Sequence, residues 1–338
     1  MSTTVANRPE SAAPSVRNPI ARMLDTQRRY PLAQTAIAVA LFAYGAVTID
    51  GFTDRTSLYS VLVLTALLGL ASFGQTLVVL AGGIDFSIPA FILLGQTVTL
   101  QLPATHQWPT GLAIAAGFLL GLLAGAVSGW VCHRFKVESL VVTLGMSAVV
   151  TGAVQVWTKG YFTGAPPQWL MNLASAAGTT FGIHFPPLLV IWAVIAVVAA
   201  VVLHRTVTGR RFFAVGTNPL AAQFSLVAVG RHRILVYALS AGLAALVGTA
   251  LAGFASGDPS AGNPYLFESL AAVVIGGSSF GGRGDYSRTV VGAFVIVLLS
   301  TILVGRGLDD AAQQIIYGLL ILVIVGGYGR QRHIRNQV

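Results

Sequence analysis

The sequence is poor in charged residues. Only 9% of its 338 residues are Asp, Glu, Lys or Arg, against about 25% in an average soluble domain, and 55% are hydrophobic. A water-soluble enzyme of this size needs more polar surface, and a disordered chain is far less hydrophobic. Because only helices and closed barrels span a bilayer, the apolar stretches predict an all-α, polytopic membrane protein.

Cysteine and lysine are scarce as well. Cys132 is the single cysteine, so the chain has neither an internal disulfide nor a cysteine-based metal site. Lys136 and Lys159 are the two lysines, and neither follows the GxxxxG of a nucleotide-binding P-loop. The six histidines lack HxxxH or HExxH spacing. We therefore expect no metal site and no ATPase within this chain.

Ten apolar stretches approach the length of about 20 residues that a membrane span requires. They lie near 32–49, 57–81, 86–102, 110–132, 139–157, 187–204, 233–254, 267–282, 288–305 and 311–329. The third and the eighth are predicted to be short or broken. The predicted organisation is a polar cytoplasmic tail (1–31), a transmembrane domain (32–329) and a short cytoplasmic tail (330–338). A cleaved signal peptide is disfavoured because the first stretch is longer than a usual signal core.

The basic residues are distributed asymmetrically. With the N-terminus in the cytoplasm, 17 of the 20 Lys and Arg residues fall in cytoplasmic segments, and Arg55, Lys159 and Arg306 fall outside. This asymmetry obeys the positive-inside rule and predicts an N-in, C-in topology. It also explains the net charge of +9, so no nucleic-acid-binding function is needed to account for the basic residues. Eight spans with two re-entrant segments give the same sidedness and stay open as an alternative.

A carboxylate stands at a break between the second and third stretches. Gly82 and Gly83 interrupt the helical pattern, and Asp85 is the only formal charge between 56 and 133. Asp85 or Ser87 can cap the helix that follows. A carboxylate at membrane depth is typical of a transport pathway, whereas a plain cap near the interface is the structural alternative.

Two further segments have distinctive patterns. Residues 276–285 are rich in glycine, but without a following Lys-Ser/Thr they predict helix packing and a tight turn instead of a phosphate loop. These glycines are Gly276, Gly277, Gly281, Gly282 and Gly284. The longest inner loop, 205–232, is amphipathic, with Asn218 and Pro219 placed to start a short helix. Such a helix lies on lipid or docks on a soluble partner.

These features recur together in one family. The chain resembles, over about residues 35–328, the permease subunits of ribose/xylose/galactose-type bacterial ATP-binding-cassette (ABC) importers. Five motifs carry the resemblance: Gly-Gly-Ile-Asp-Phe-Ser at 82–87, Val-Thr-Leu-Gly at 142–145, Gly-Thr-Asn-Pro-Leu-Ala-Ala at 216–222, Tyr-Ala-Leu-Ser-Ala-Gly-Leu-Ala-Ala at 237–245, and Leu-Ala-Ala-Val-Val-Ile-Gly-Gly-Ser-Ser at 270–279. Phe86 replaces the family's common Leu, and Ser225-Leu226-Val227 replaces Ser-Gly-Ile.

The resemblance implies a transport system in the bacterial inner membrane. In it, two permease subunits, identical or paralogous, pair in the membrane, two cytoplasmic ATPases bind the inner loops, and a periplasmic binding protein delivers a monosaccharide. ATP is bound by the partner ATPase, and the permease itself needs no cofactor and is not an enzyme. The implied ATPase-docking residues are Gly216, Asn218, Ala221, Ala222 and Ser225, and the candidate pathway residues are Gly82, Gly83, Asp85, Ser87, Thr143, Gly145 and Glu268.

Three other functions compete with this interpretation. Importers of nucleosides or branched-chain amino acids have similar permeases. An autonomous secondary transporter needs intramembrane ions as coupling sites, and only Asp85 and Glu268 are available. A membrane enzyme needs a nucleophile–base pair or a metal cluster, and no such pattern stands out.

Overall fold

The computed structural model describes residues 31–255, 257–278, 281 and 284–335. These residues form thirteen α-helices and no β-strand. The helices are α1 (Leu32–Thr48), α2 (Arg55–Leu80), α3 (Ile88–His106), α4 (Thr110–Phe135), α5 (Ser139–Thr158), α6 (Gln168–Ala174), α7 (Pro187–Arg205), α8 (Val207–Thr217), α9 (Pro219–Phe224), α10 (Val229–Ala255), α11 (Tyr265–Ile275), α12 (Tyr286–Gly305) and α13 (Asp310–Arg335).

Ten of these helices correspond to the ten predicted stretches. Seven are long and apolar enough to cross a membrane, namely α2, α3, α4, α5, α7, α10 and α12. Three shorter apolar helices are α1, α11 and the part of α13 from Asp310 to Ile324. The all-α, polytopic membrane fold is therefore confirmed. Of the predicted tails, residues 1–30 and 336–338 lie outside the described residues.

The eighth stretch is shorter than predicted. Its helix, α11, ends at Ile275 instead of near 282, because Gly277 takes a left-handed φ of +80° that stops helical hydrogen bonding. Eleven residues at 1.5 Å each reach about 16 Å, roughly half of the hydrocarbon thickness. This helix alone therefore does not cross the bilayer.

The core is built around α2 and α10, which are buried along most of their length. Small residues allow the helices to approach this centre closely. A Cβ added to Gly125 of α4 would lie 2.3 Å from the Tyr237 carbonyl oxygen of α10, and one added to Gly248 of α10 would lie 1.9 Å from the Ile92 carbonyl oxygen of α3. Between helices in lipid, where the hydrophobic effect does not drive association, close van der Waals packing of this kind holds the helices together. In contrast, α4, α5 and α7 expose most of their surface.

Candidate functional site: a helix break between two cavities

The chain breaks at the glycine pair that the sequence singled out. Gly82 has a φ of +89°, which glycine adopts without steric penalty. The N–H groups of Gly82 and Gly83 donate to carbonyls in the last turn of α2 at 3.0 and 2.9 Å. A Cβ on Gly83 would lie 2.3 Å from the Tyr237 hydroxyl and 2.9 Å from Ser139 Oγ. The position after the turn therefore excludes any side chain.

Asp85 lies in this break and is buried, with 2% of its surface exposed. Its Oδ1 accepts a hydrogen bond from the Ser87 N–H at 2.9 Å and another from the Ser87 hydroxyl. Its Oδ2 accepts from the Ser240 hydroxyl of α10 at 2.7 Å. Ser87 occupies the N-cap position of α3, but its side chain makes no capping bond. Asp85 thus holds the start of α3 from outside the helix and also fastens the break to α10.

The backbone of the break is attached to α5. The Ile84 N–H donates to Ser139 Oγ at 3.0 Å, and the Phe86 N–H donates to Thr143 Oγ1 at 3.1 Å. These two serine and threonine hydroxyls, one helical turn apart, satisfy donors that a broken helix leaves open. Thr143, predicted as a pathway residue, is therefore a direct contact of the break. Gly145 is not, because a Cβ there would meet open space.

An open cavity of about 590 Å³ lies on one side of the break. Phe86, Pro89 and Leu93 line it beside residues of α5, the segment before α11, α11 and α13. Its polar lining consists of Ser147, Thr151, Gln155, Thr158, Ser260, Asn263 and Gln314, and its aromatic lining of Phe86, Phe162 and Phe267. We name it the outer cavity after its side in the predicted topology. Among the described residues that line it, none carries a formal charge.

A second, smaller cavity of about 160 Å³ lies on the other side of the break. Gly82 and Gly83 line it together with Glu138, Arg233 and Tyr237. The two cavities have no lining residue in common. Phe86 thus lines the first cavity, and Gly82 and Gly83 line this second one, which we name the inner cavity after its side in the predicted topology.

Glu268 lies behind the wall of the outer cavity. It is buried in α11, whereas the Tyr317 hydroxyl of α13 donates a hydrogen bond to Gln313 Oε1 at 3.4 Å. The neighbouring residues Phe267 and Gln314 line the cavity, while Gln313 accepts a hydrogen bond from Ser300 at 3.1 Å. Glu268 is therefore a buried residue close to this cavity, but it is not itself a lining residue.

The inner loop forms two short helices, α8 and α9. Asn218 Oδ1 accepts from the Ala221 N–H at 3.0 Å, as its predicted capping role requires. Of the five implied docking residues, Gly216 and Ala222 are buried, whereas Asn218, Ala221 and Ser225 are exposed. The most exposed large apolar side chains of this loop are Leu220 at 68%, Phe224 at 89% and Leu226 at 95%. We call these three residues the loop patch.

The described residues of the glycine-rich segment include turns and close contacts. Gly277 and Gly281 have left-handed φ values, +80° and +85°. A Cβ on Gly276 would lie 2.8 Å from the Arg288 carbonyl oxygen, and one on Gly284 would lie 2.4 Å from Ser278 Oγ. Close packing therefore explains these glycines. Gly282 lies outside the described residues.

Asp285 begins α12 next to this turn. It accepts from the Ser287 N–H at 3.3 Å, and its Oδ1 lies 2.8 Å from His204 Nε2 of α7. Burial raises the pKa of Asp285, but the hydrogen bonds from Ser287 and His204 outweigh burial and hold that pKa below its ordinary value. This contact fastens α7 to α12. Within the described part of the chain, no three His, Cys, Asp or Glu side chains cluster to hold a metal.

Known proteins resemble this chain along most of its length. A fructose import permease protein, FrcC, of Rhizobium meliloti is 32% identical over 86% of this chain and 82% of its own. A ribose import permease protein, RbsC, of Bacillus subtilis is 32% identical over 81% and 85%, respectively. An autoinducer 2 import system permease protein, LsrC, of an Enterobacter species is 30% identical over 88% and 87%. No solved structure matches.

The family to which these features point is also matched directly. Residues 57–325 fit the model of the family described as the branched-chain amino acid transport system permease component. The matched region runs from α2 into α13 and includes the helix break, both cavities and the inner loop. The protein is thus a multi-pass protein of the inner membrane, and the chain belongs to this permease family.

Proposed function

We propose that this chain is the membrane-spanning permease subunit of an ABC importer that carries a monosaccharide. The uncharged, polar and aromatic lining of the outer cavity carries the proposal. Hydroxyl and amide side chains hydrogen-bond a sugar's hydroxyl groups, and phenylalanine rings cover its apolar face. The cavity volume of about 590 Å³ falls within the usual range of small-molecule sites, about 300–1,000 Å³.

The lining also disfavours a branched-chain amino acid as the substrate. A zwitterion in a partly desolvated site requires partners for its carboxylate and its ammonium group. Among the described lining residues of the outer cavity, none supplies a charge. The names of the relatives, which specify fructose and ribose import, point in the same direction.

The break serves as the gate of this pathway. The positive-inside asymmetry places both termini of the chain in the cytoplasm. The end of the cavity that contains Thr158 and Ser260 then lies on the outer side of the membrane. The outer cavity then opens toward the binding protein, and the inner cavity, with Arg233, faces the cytoplasm. A sugar passes only if segment 82–86 moves away from Ser139 and Thr143.

The partners follow from the exposed surfaces. The loop patch, Leu220, Phe224 and Leu226, projects from the inner loop and suits a groove on a cytoplasmic ATPase. That ATPase binds and hydrolyses the ATP, so the permease needs no cofactor of its own. A second permease subunit covers the exposed apolar face of α5, which includes Val149 and Val156, beside the outer cavity.

Sugar uptake tests the proposal directly. Cells without other pentose and hexose importers would express the permease with its ATPase and binding protein, and uptake of labelled ribose, fructose and leucine would be measured. We expect uptake of one of the sugars, and we expect Gln155→Leu to reduce it at least tenfold. Gln168→Leu makes the same change on an exposed residue outside the cavity and should preserve uptake. Leucine uptake, or equal effects of both variants, would contradict the proposal.

A further inference from the structure

A deep apolar groove lies between α7 and α10, away from both cavities. Both helices pack against α2 but not closely against each other, so α2 forms a floor that includes Phe73 and Leu77. Val198 of α7 and Leu239 of α10 stand on opposite walls. The volume is about 440 Å³, and Val198 and Leu239 at the mouth are exposed. The groove therefore opens sideways, toward the position of the bilayer.

The dimensions of this groove fit one leaflet. On α7 it runs from Val194 to Leu203, which at 1.5 Å per residue is about 14 Å, close to half of a hydrocarbon core of about 30 Å. Beyond Ile195 the space continues toward the other end of α7 as a much smaller pocket of about 170 Å³. A spanning helix requires a groove along the full thickness, whereas an acyl chain from one leaflet requires only the wide half.

The inner end of the groove is basic. It closes at Thr208 and His232, within the segment 204–233, which contains five arginines, two histidines and no acidic residue. Arg205 and Arg231 are exposed and lie three residues or fewer from the lining. In the proposed topology this end faces the cytoplasmic leaflet, where each arginine attracts anionic lipid.

We propose that this groove binds one anionic phospholipid of the inner leaflet. An acyl chain fills the space between Val198 and Leu239, and the phosphate is held near Arg205 and Arg231. The lipid completes the packing between α7 and α10, which the protein leaves open. The proposal depends on the orientation of the chain, but not on which solute it carries.

Native mass spectrometry tests this site. The purified permease would be exchanged into mixed micelles that contain phosphatidylglycerol or phosphatidylcholine, and retained lipid would be counted per chain. We expect one retained phosphatidylglycerol in the wild type. Val198→Trp, which fills the groove, should lose it. Val201→Trp places the same side chain on the same helix at an exposed position outside the groove and should retain it.

Two further variants distinguish binding of the lipid headgroup from binding of the acyl chain. Replacing Arg205 and Arg231 together by Gln should reduce the preference for phosphatidylglycerol over phosphatidylcholine by roughly tenfold or more, with one lipid still bound. Leu239→Trp on the opposite wall should reproduce the loss seen with Val198→Trp. Equal lipid retention in both valine variants would overturn the proposal. So would a shift in permease dimerisation caused by Val198→Trp, because the groove would then be a protein interface.

Discussion

Replacing Asp85 tests whether its charge or its hydrogen bonds matter at the helix break. The carboxylate accepts from one backbone N–H and two serine hydroxyls in a buried site. In Asp85→Ala the Ser240 hydroxyl can turn toward a carbonyl of its own helix, but the Ser87 N–H cannot turn. An unsatisfied buried donor costs about 1–3 kcal/mol, and hydrogen bonds to a charged group contribute about 1.5–3 kcal/mol each.

We therefore expect Asp85→Ala to lower the free energy of unfolding by roughly 2–4 kcal/mol, more than the loss of a simple N-cap, which is about 1 kcal/mol. Asp85→Asn should cost about 1 kcal/mol, because the amide oxygen still accepts from Ser87 and the amide nitrogen can donate to Ser240 Oγ. Ser240→Ala removes one hydrogen bond and should fall between the two variants.

Two measurements decide the outcome: unfolding of the purified permease in detergent, and sugar uptake normalised to the amount of permease in the membrane. Asp258 is a matched control because its Oδ1 accepts from the N–H and hydroxyl of Ser260 in the same local arrangement, but in an exposed loop. Asp258→Ala should be close to wild type. If Asp85→Asn is stable and abundant but transports no better than Asp85→Ala, the negative charge itself operates the gate, and our reasoning from hydrogen bonds fails.

Three further predictions test the surroundings of the gate. Gly83→Ala should reduce uptake at least tenfold, because its Cβ would overlap a tyrosine hydroxyl. Gly145→Ala places the same Cβ in open space and should leave uptake unchanged. Equal effects of the two variants on uptake would argue against a close-packed break. Leu226→Asp should abolish co-purification of the ATPase and leave the permease folded. Ala222→Asp places a carboxylate at a buried position and should instead lower the abundance of the permease. Retained co-purification in Leu226→Asp would exclude the loop patch as the docking site. The depressed pKa of Asp285 stabilises the folded protein at pH values above the ordinary pKa of about 3.9. This stabilisation is lost as the pH falls through the lower pKa of the folded state. The melting temperature should therefore fall in acid for the wild type, and this part of the fall should be missing in Asp285→Asn.

The sequence predicted the helices well, since each span is marked by local signals. Apolar length, flanking arginines and glycine breaks are readable within about 20 residues, and most predicted bounds lie within a few residues of the observed ones. The eighth stretch is short, as predicted, but its end was placed too late, because Val274 and Ile275 are followed by glycines whose apolar character conceals a turn. Only the left-handed backbone of Gly277 reveals where the helix stops.

The candidate site was harder to predict because it depends on contacts between distant residues. The glycines and Asp85 were visible as anomalies, but Ser240 lies 155 positions from Asp85, and no local pattern pairs them. The lining of the outer cavity was missed for the same reason, as Gln155, Asn263 and Gln314 are ordinary polar residues until folding brings them together. Likewise, Ala222 belongs to the docking motif, but the structure buries it and exposes Phe224 instead.

The inner loop and the gate are physically connected, which bears on how an ATPase drives transport. A Cβ added to Gly281, in the glycine-rich turn, would lie 3.3 Å from the carbonyl oxygen of Gly216 at the end of α8. The Gly281 N–H donates to the Val79 carbonyl oxygen at 3.4 Å, and the same oxygen accepts from the Gly82 N–H at 3.0 Å. Backbone contacts therefore run from the loop through the turn to the helix break. Side-chain substitutions leave such contacts largely unchanged, whereas in the proposed assembly a displacement of α8 by a docked ATPase would act directly on the end of α2. Because coupling requires a contiguous set of contacts with two arrangements, this route explains why glycines, which allow backbones to touch, occupy both the turn and the gate.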